Sequence, residues 1–171
     1  MSIAELEARV RALEDLEQIR TLKARYLFSC DSKNPEAIRD CFVPGEALID
    51  YGAIGVFRHR DELVELFTRL ACHEHIVEMH HGVNPQIVVT GEQQAHGTWD
   101  LFYHQINTVD NRLTQLGAYY EDEYRKIDGE WKISRTRCVV TSTLVRDLAQ
   151  EGKVVFAGRA IPQQLMSQEH A

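Results

Sequence analysis

The sequence predicts an α+β fold. About three N-terminal helices pack into a strongly curved mixed or antiparallel sheet, forming a cone-shaped barrel with one open end. Three observations predict it. Apolar residues recur at steps of three and four in three segments of the first seventy positions, broken by a short strand-like stretch at 47–57. From Ile76 onward they alternate in long runs. Turn signals punctuate that second half, the strongest being Asp128-Gly129 between two strand-like runs. Helices first and strands afterwards give segregated layers rather than a doubly wound sheet. Long strands joined by tight turns coil, and the hollow they leave is a natural ligand site.

The first helix is predicted over roughly residues 3–30. Ile3, Leu6, Val10, Leu13, Leu16, Ile19, Leu22 and Tyr26 read as one apolar stripe, with Asp15, Glu17 and Arg20 on the wet side. A second helix starts at Asn34-Pro35, where asparagine caps and proline suits the first helical position, and it ends near Phe42, before Pro44-Gly45. Residues 47–51 and 55–57 are short strands that pair. Arg60-Asp61 opens a third helix with Leu63, Leu66, Phe67 and Leu70 on one face. Residues 76–84, continued by 86–89, then 94–107, 113–127 and 130–144, are the sheet strands. Residues 1–145 form the domain. Residues 146–171, more polar and carrying Gly152, Gly158 and Pro162, are expected to be a tail over the pocket or against a neighbouring subunit.

Composition narrows the function. At 171 residues, 44% hydrophobic and 26% charged, the chain is an ordinary globular domain, able to bury roughly two-thirds of its unfolded surface. A formal net charge of −7 with scattered Lys and Arg argues against a nucleic-acid partner. No apolar run approaches the roughly 18 residues of a membrane helix, and the charged N-terminal segment lacks the apolar stretch of a secretory leader. No membrane partner and a cytoplasmic location are therefore expected. Cys30, Cys41, Cys72 and Cys138 show no paired short spacing, so neither a zinc site nor a disulfide framework is expected. Phosphate loops, nucleophile elbows and His-Glu-x-x-His helices are absent. Chemistry without metal or cofactor is the expectation.

What remains is a set of polar residues expected to look inward. Tyr26 lies on the helical apolar stripe, where a phenol needs a hydrogen-bond partner and could stabilise a developing enolate; a core tyrosine bonded to a carbonyl is the bland alternative. Asp31 ends the same helix; it either caps a turn or faces the pocket and orients a histidine. His80 and His81 are adjacent on a strand, so one of them enters the pocket, where histidine is the usual general base near neutral pH. Asp100 is an unusual mid-strand carboxylate. If it faces inward it must be paired, and Arg135 and Arg137, which follow Trp131 and Ile133, are its natural partners. Trp99, Leu101 and Tyr103 would then line the outer face as a subunit contact, giving a homodimer or homotrimer. A metal cluster of His73, His75, His80 and His81 is not expected, for want of a carboxylate or thiolate at suitable spacing.

The order of these elements resembles the SnoaL-like branch of the nuclear transport factor 2-like superfamily. The likeness runs over about residues 5–145. It rests on Ile19-Arg20-x-Leu22-Lys23-x-Arg25-Tyr26 with Asp31 five residues on, Phe42-Val43-Pro44, Met79-His80-His81-Gly82-Val83-Asn84 leading into Ile87-Val88-Val89-Thr90-Gly91, and Asp128-Gly129-Glu130-Trp131-Lys132-Ile133. The resemblance implies a cofactor-independent acid–base enzyme, a dehydratase or isomerase acting on a small apolar carbonyl compound such as a polyketide, steroid or aromatic-ring substrate. It implies Tyr26, Asp31 and His80 as the catalytic set, with His81 the second choice for the histidine and with Asp100 and either Arg135 or Arg137 in support. Ring-hydroxylating dioxygenase small subunits share the fold, so a non-catalytic partner subunit is an alternative, as is a carrier of hydrophobic ligands.

Overall fold

The structure is a computed structural model that describes residues 1–152. Helix α1 (Ile3–Asp31) opens with a capping box: the Glu5 amide donates to Ser2 Oγ at 3.2 Å, and the Ser2 amide to Glu5 Oε2 at 2.6 Å. Helix α2 (Pro35–Cys41) is capped by Asn34, whose Oδ1 accepts from the Ala37 amide. Strand β1 (Glu46–Asp50), a short 3₁₀ turn (Gly52–Ile54) and strand β2 (Val56–His59) lead into α3 (Arg60–Ala71). Four long strands follow: β3 (Ile76–Gly91), β4 (Gln94–Asn107), β5 (Arg112–Ile127) and β6 (Glu130–Asp147). A short α4 (Leu148–Glu151) comes last. The sheet extends to Asp147, two residues beyond the expected end of the domain; most of the expected tail, residues 153–171, lies outside the described residues.

The six strands form one sheet in the order β2-β1-β6-β5-β4-β3. Every pairing is antiparallel except β1 with β6, which run parallel with Leu48 opposite Arg135. The sheet curls over the helices without closing, and β2 and β3 are its edges. Between β5 and β6 the chain turns on Asp128 and Gly129, with φ of 51° and 85°. These are the two positive values that a type I′ hairpin requires and that Asp-Gly supplies cheaply.

The core lies between α1, α2 and the concave face. Ile19, Leu22, Leu27, Phe42, Ile49, Trp99, Leu101, Tyr124 and Ile133 are all buried there. Full burial of one such side chain contributes about 1.5–3 kcal/mol. The predicted single stripe along α1 needs correction. Ile19, Leu22 and Tyr26 are buried, but Ile3, Leu6, Val10 and Leu13 are exposed. The reason is geometric. Val10, Leu13, Leu16, Ile19 and Leu22 follow one another by threes, and each such step falls about 60° short of a full turn. The apolar direction therefore slews around the helix, and only its C-terminal half meets the sheet. That half begins at Asp15, whose Oδ1 accepts from Lys126 Nζ at 2.6 Å and Trp131 Nε1 at 2.8 Å.

The core also encloses charge. Lys23 Nζ lies 2.8 Å from Asp122 Oδ2, and both side chains are wholly buried. Asp122 further accepts from Tyr124 Oη (2.8 Å) and Thr136 Oγ1 (2.6 Å), and Tyr124 Oη accepts from Trp99 Nε1 (2.9 Å). The ammonium also sits 3.4 Å from the Tyr120 ring centroid. Burial lowers the Lys23 pKa and the Asp122 carboxylate opposes that shift.

Two expectations about strand faces reverse. Asp100 is exposed and accepts from Asn84 Nδ2 at 2.9 Å, while Trp99 and Leu101 are buried and Tyr103 also faces the concave side. An aspartate in mid-strand is accommodated here by pointing to water. Arg135 and Arg137 do not follow Trp131 and Ile133 on the same face. A bulge at Ser134, where Tyr124 pairs with Ile133 but Glu123 with Arg135, shifts the alternation by one residue. Both arginines stand outside, Arg135 on Glu123 (2.9 Å) and Arg137 on Glu121 (3.2 Å).

Candidate active site

A cavity of about 460 Å³ opens between α1, α3, the 3₁₀ turn and the concave face of the sheet. Its walls are mainly apolar, with Leu63, Leu66, Phe67, Leu101, Leu116 and Val140 among them. Into it face Tyr26, Tyr51, Glu78, His80, Tyr103 and Gln105.

His80 sits on edge strand β3, and Asp31 is the last residue of α1. The helix end packs beside the sheet edge, where β3 offers backbone donors that no further strand takes. Asp31 uses one: its Oδ1 and Oδ2 accept from the His80 amide at 3.1 and 3.2 Å. The same carboxylate meets the imidazole, with His80 Nδ1 2.6 Å from Asp31 Oδ1. An ionised carboxylate only accepts, so Nδ1 carries the proton and Nε2 the lone pair. The ring is thereby held in orientation and tautomer by two bonds to one residue. Tyr103 packs beside it, with ring centroids 4.7 Å apart and planes inclined at 58°.

In the same cavity, the Tyr26 and Tyr51 hydroxyls are 2.5 Å apart. Two phenols in mutual contact use one O–H between them and keep one free of that bond. Burial pushes both pKa values well above the usual phenol value, so both remain protonated donors. Phe42 packs edge-on against Tyr26 at 5.5 Å, and Tyr120 stands 6.3 Å from Tyr51. The Cys30 and Cys138 thiols also line the cavity, but burial raises both, and Cys30 most, so neither is poised as a thiolate.

A third polar group spans the wall beside His80. Glu78 pairs with Lys33 Nζ at 2.9 Å and accepts from Tyr103 Oη at 3.1 Å; that oxygen in turn accepts from Gln105 Nε2 at 2.8 Å. This chain fixes Tyr103 and hence the surface on which the imidazole rests.

The sequence candidates thus separate. Asp31 meets His80, and Tyr26 and His80 line one cavity. His81 is exposed on the opposite face of β3, and Asp100, Arg135 and Arg137 stand on the outer surface. His73 and His75 stack on each other at 5.2 Å. Among the described residues no three His, Cys, Asp or Glu side chains converge to hold a metal ion. Four polar cavity residues, Tyr51, Glu78, Tyr103 and Gln105, are not among the sequence candidates. Glu78 carries a signal, since it lies two positions before His80 and so shares its face of the strand. Tyr103, expected on the outer face, stands on the concave one. Tyr51, just after β1, becomes a neighbour of Tyr26 only through the parallel pairing with β6.

A histidine–carboxylate pair and a phenol pair facing one apolar hollow define a small α+β pocket protein equipped for proton transfer. The profile of the SnoaL-like domain family matches residues 11–137, and the chain belongs to that family. Solved structures share the fold. A Novosphingobium aromaticivorans protein provisionally assigned as a scytalone dehydratase superposes with a TM-score of 0.72 at 23% identity, covering 88% of this chain and 97% of that one. A type 2 hexachlorocyclohexane dehydrochlorinase, LinA, gives 0.76 at 18% identity, covering 90% and 99%. A second N. aromaticivorans protein, provisionally assigned as an aromatic ring hydroxylase, gives 0.69 at 20%, covering 78% and 93%.

Proposed function

We propose that the protein is a cofactor-independent lyase that eliminates water from a small, largely apolar β-hydroxy carbonyl compound, or isomerises a closely related one, with Tyr26, Asp31 and His80 as its catalytic set. The observation that carries this reading is the Asp31–His80 bond at 2.6 Å on the same cavity as a hydrogen-bonded phenol pair. The neighbours assigned as a dehydratase and a dehydrochlorinase are consistent with an elimination.

The steps follow from the donors and acceptors. His80 Nε2 takes the proton on the carbon next to the carbonyl, and that carbon–hydrogen bond's electron pair forms an enolate. The free O–H of the Tyr26–Tyr51 pair donates to the developing oxyanion from a mainly apolar wall. Asp31 holds the imidazolium that results. The enolate's electron pair then forms the carbon–carbon double bond, and the carbon–oxygen bond to the β-hydroxyl breaks. That oxygen leaves as water with the proton that His80 had taken. General acid–base catalysis of this kind supplies about 10²- to 10⁴-fold.

The test uses a panel of β-hydroxy ketones of cavity size, with the ultraviolet band of the conjugated product as readout. Expected is turnover by the wild-type chain and its loss in His80→Ala, with ligand binding retained. A His80→Ala variant that turns over at the wild-type rate refutes the assignment. Binding without turnover by either chain favours a hydrophobic-ligand carrier, and co-purification with a larger iron protein favours a dioxygenase partner subunit.

A further inference from the structure

Residues 1–14 are exposed throughout, and α1 meets the domain from Asp15 onward. Yet this half of the helix is not polar all round. Ile3, Leu6, Val10 and Leu13 are 78%, 48%, 44% and 66% exposed. Their spacing of three, four and three is that of the a and d positions of two successive heptads. At 3.6 residues per turn, their mean direction lies roughly 170° from that of Ile19, Leu22, Tyr26 and Cys30, the stripe that faces the core. It is therefore a second apolar face, aimed away from the protein's own sheet.

We propose that this face is a self-pairing seam: the exposed half of α1 packs in parallel register on the same segment of a second copy, as a short two-stranded coiled coil. The side chains specify the arrangement. β-Branched Ile3 and Val10 at a with Leu6 and Leu13 at d is the combination that favours two parallel strands. The flanking charges agree. Arg9 falls at g and Glu14 at the e position of the following heptad, so in parallel register Arg9 of each copy faces Glu14 of the other, twice per dimer. In antiparallel register e faces e, and the glutamates at 7 and 14 would approach one another. Two heptads are few for free peptides, because a helix of this length is marginal in water. Here the segment continues a helix already anchored from Asp15 to Asp31 and capped at Ser2, so pairing meets little ordering cost.

The seam is separate from the cavity and does not depend on the reaction proposed for it. Its test is the mass in solution by light scattering, with circular dichroism as the control for folding. Expected are twice the chain mass for the wild type and the single-chain mass for Leu6→Glu/Leu13→Glu, whose changes fall on exposed positions and leave the chain folded, with a melting temperature that no longer depends on protein concentration. Arg9→Glu weakens pairing roughly tenfold, two attractions having become repulsions, and Arg9→Glu/Glu14→Arg restores it. Leu6→Cys, oxidised, links two chains, because d residues face each other only in parallel register. A monomeric or trimeric wild type overturns the proposal. So does a dimer untouched by the Leu6→Glu/Leu13→Glu change, or cross-linking that needs Val10→Cys in addition to Leu6→Cys.

Discussion

Lys23 and Asp122, 99 positions apart in the chain, meet at 2.8 Å with no solvent contact on either side chain. Taking two charges out of water is unfavourable, and the pair persists because each ion is matched. Asp122 receives three donors, and Lys23 lies over the Tyr120 ring. Removing one ion strands the other. Lys23→Met is expected to lose about 3–5 kcal/mol in urea denaturation. Lys23→Met/Asp122→Asn should recover a substantial part, since a neutral amide oxygen still accepts from Thr136 and Tyr124. Equal stabilities of the single and double variants would show that the carboxylate is not what the lysine balances.

Asp31→Asn preserves size but not charge. The amide can present a donor where the carboxylate only accepts, which releases His80 from its single tautomer. Turnover should fall about 10²- to 10⁴-fold, while ligand affinity in the cavity changes little. Imidazole ¹⁵N shifts give a check that needs no substrate. The wild type should show one protonated Nδ1, and the Asp31→Asn variant a mixture of tautomers. An unchanged spectrum would detach the tautomer from the carboxylate.

The Tyr26–Tyr51 bond predicts a non-additive pair. Tyr26→Phe or Tyr51→Phe alone leaves one buried hydroxyl without its partner and costs about 0.5–1.5 kcal/mol. Replacing both removes the orphan too, so the double variant should be less destabilised than the sum. Its turnover should lie below that of either single variant, because no phenol then remains to meet the oxyanion. Thermal melts and rates on the four proteins close the cycle, and strict additivity in both would refute the pairing.

Tyr26, Tyr51, Tyr120 and Tyr124 all have pKa values raised well above 10.0, burial being the main cause. Above the ordinary phenol value the folded chain keeps these protons while the unfolded chain releases them. The proton-linked stability they contribute is thus complete below pH 10 and falls as pH rises beyond it. Alkaline unfolding followed by circular dichroism should coincide with the phenolate absorbance of these residues. Their ionisation in a still-folded chain would contradict the burial.

Gly97 on β4 faces β3 so closely that a Cβ there would lie 2.8 Å from the Gln86 carbonyl oxygen. Backbone cannot step aside as a side-chain tip can. Gly97→Ala should destabilise by about 1–3 kcal/mol. Gly91→Ala, with nothing within 4 Å of the added carbon, should stay near the wild type. Melting temperatures compare the two directly.

Local signals were legible in the sequence where local physics decides. The Asn34 cap, the Asp128-Gly129 turn and the limits of β4 depend on residues next to one another, and they appear as the sequence predicts. The α+β order was legible for the same reason. What failed depended on counting parity across a strand or around a helix. One bulged residue, Ser134, puts Arg135 outside though Ile133 is inside. A run of threes carries the apolar direction of α1 off the core. The candidate site divides along the same line. Tyr26, Asp31 and His80 stood out by residue type and position, whereas Tyr51 needed a long-range pairing that no local pattern encodes. The buried Lys23–Asp122 pair was invisible because an isolated charge in a sequence reads as surface.

The parallel contact between β1 and β6 carries a consequence for biogenesis. A strand made early in synthesis waits for one made some ninety residues later before it gains its second neighbour. Until Glu130 and its successors have left the ribosome, β1 and β5 both present open edges with unpaired amides and carbonyls. Contacts so distant along the chain close slowly. A nascent or truncated polypeptide stopping before β6 would thus hold the helices and three wall strands of the hollow with two strand edges left unpaired, and would be a ready client for chaperones.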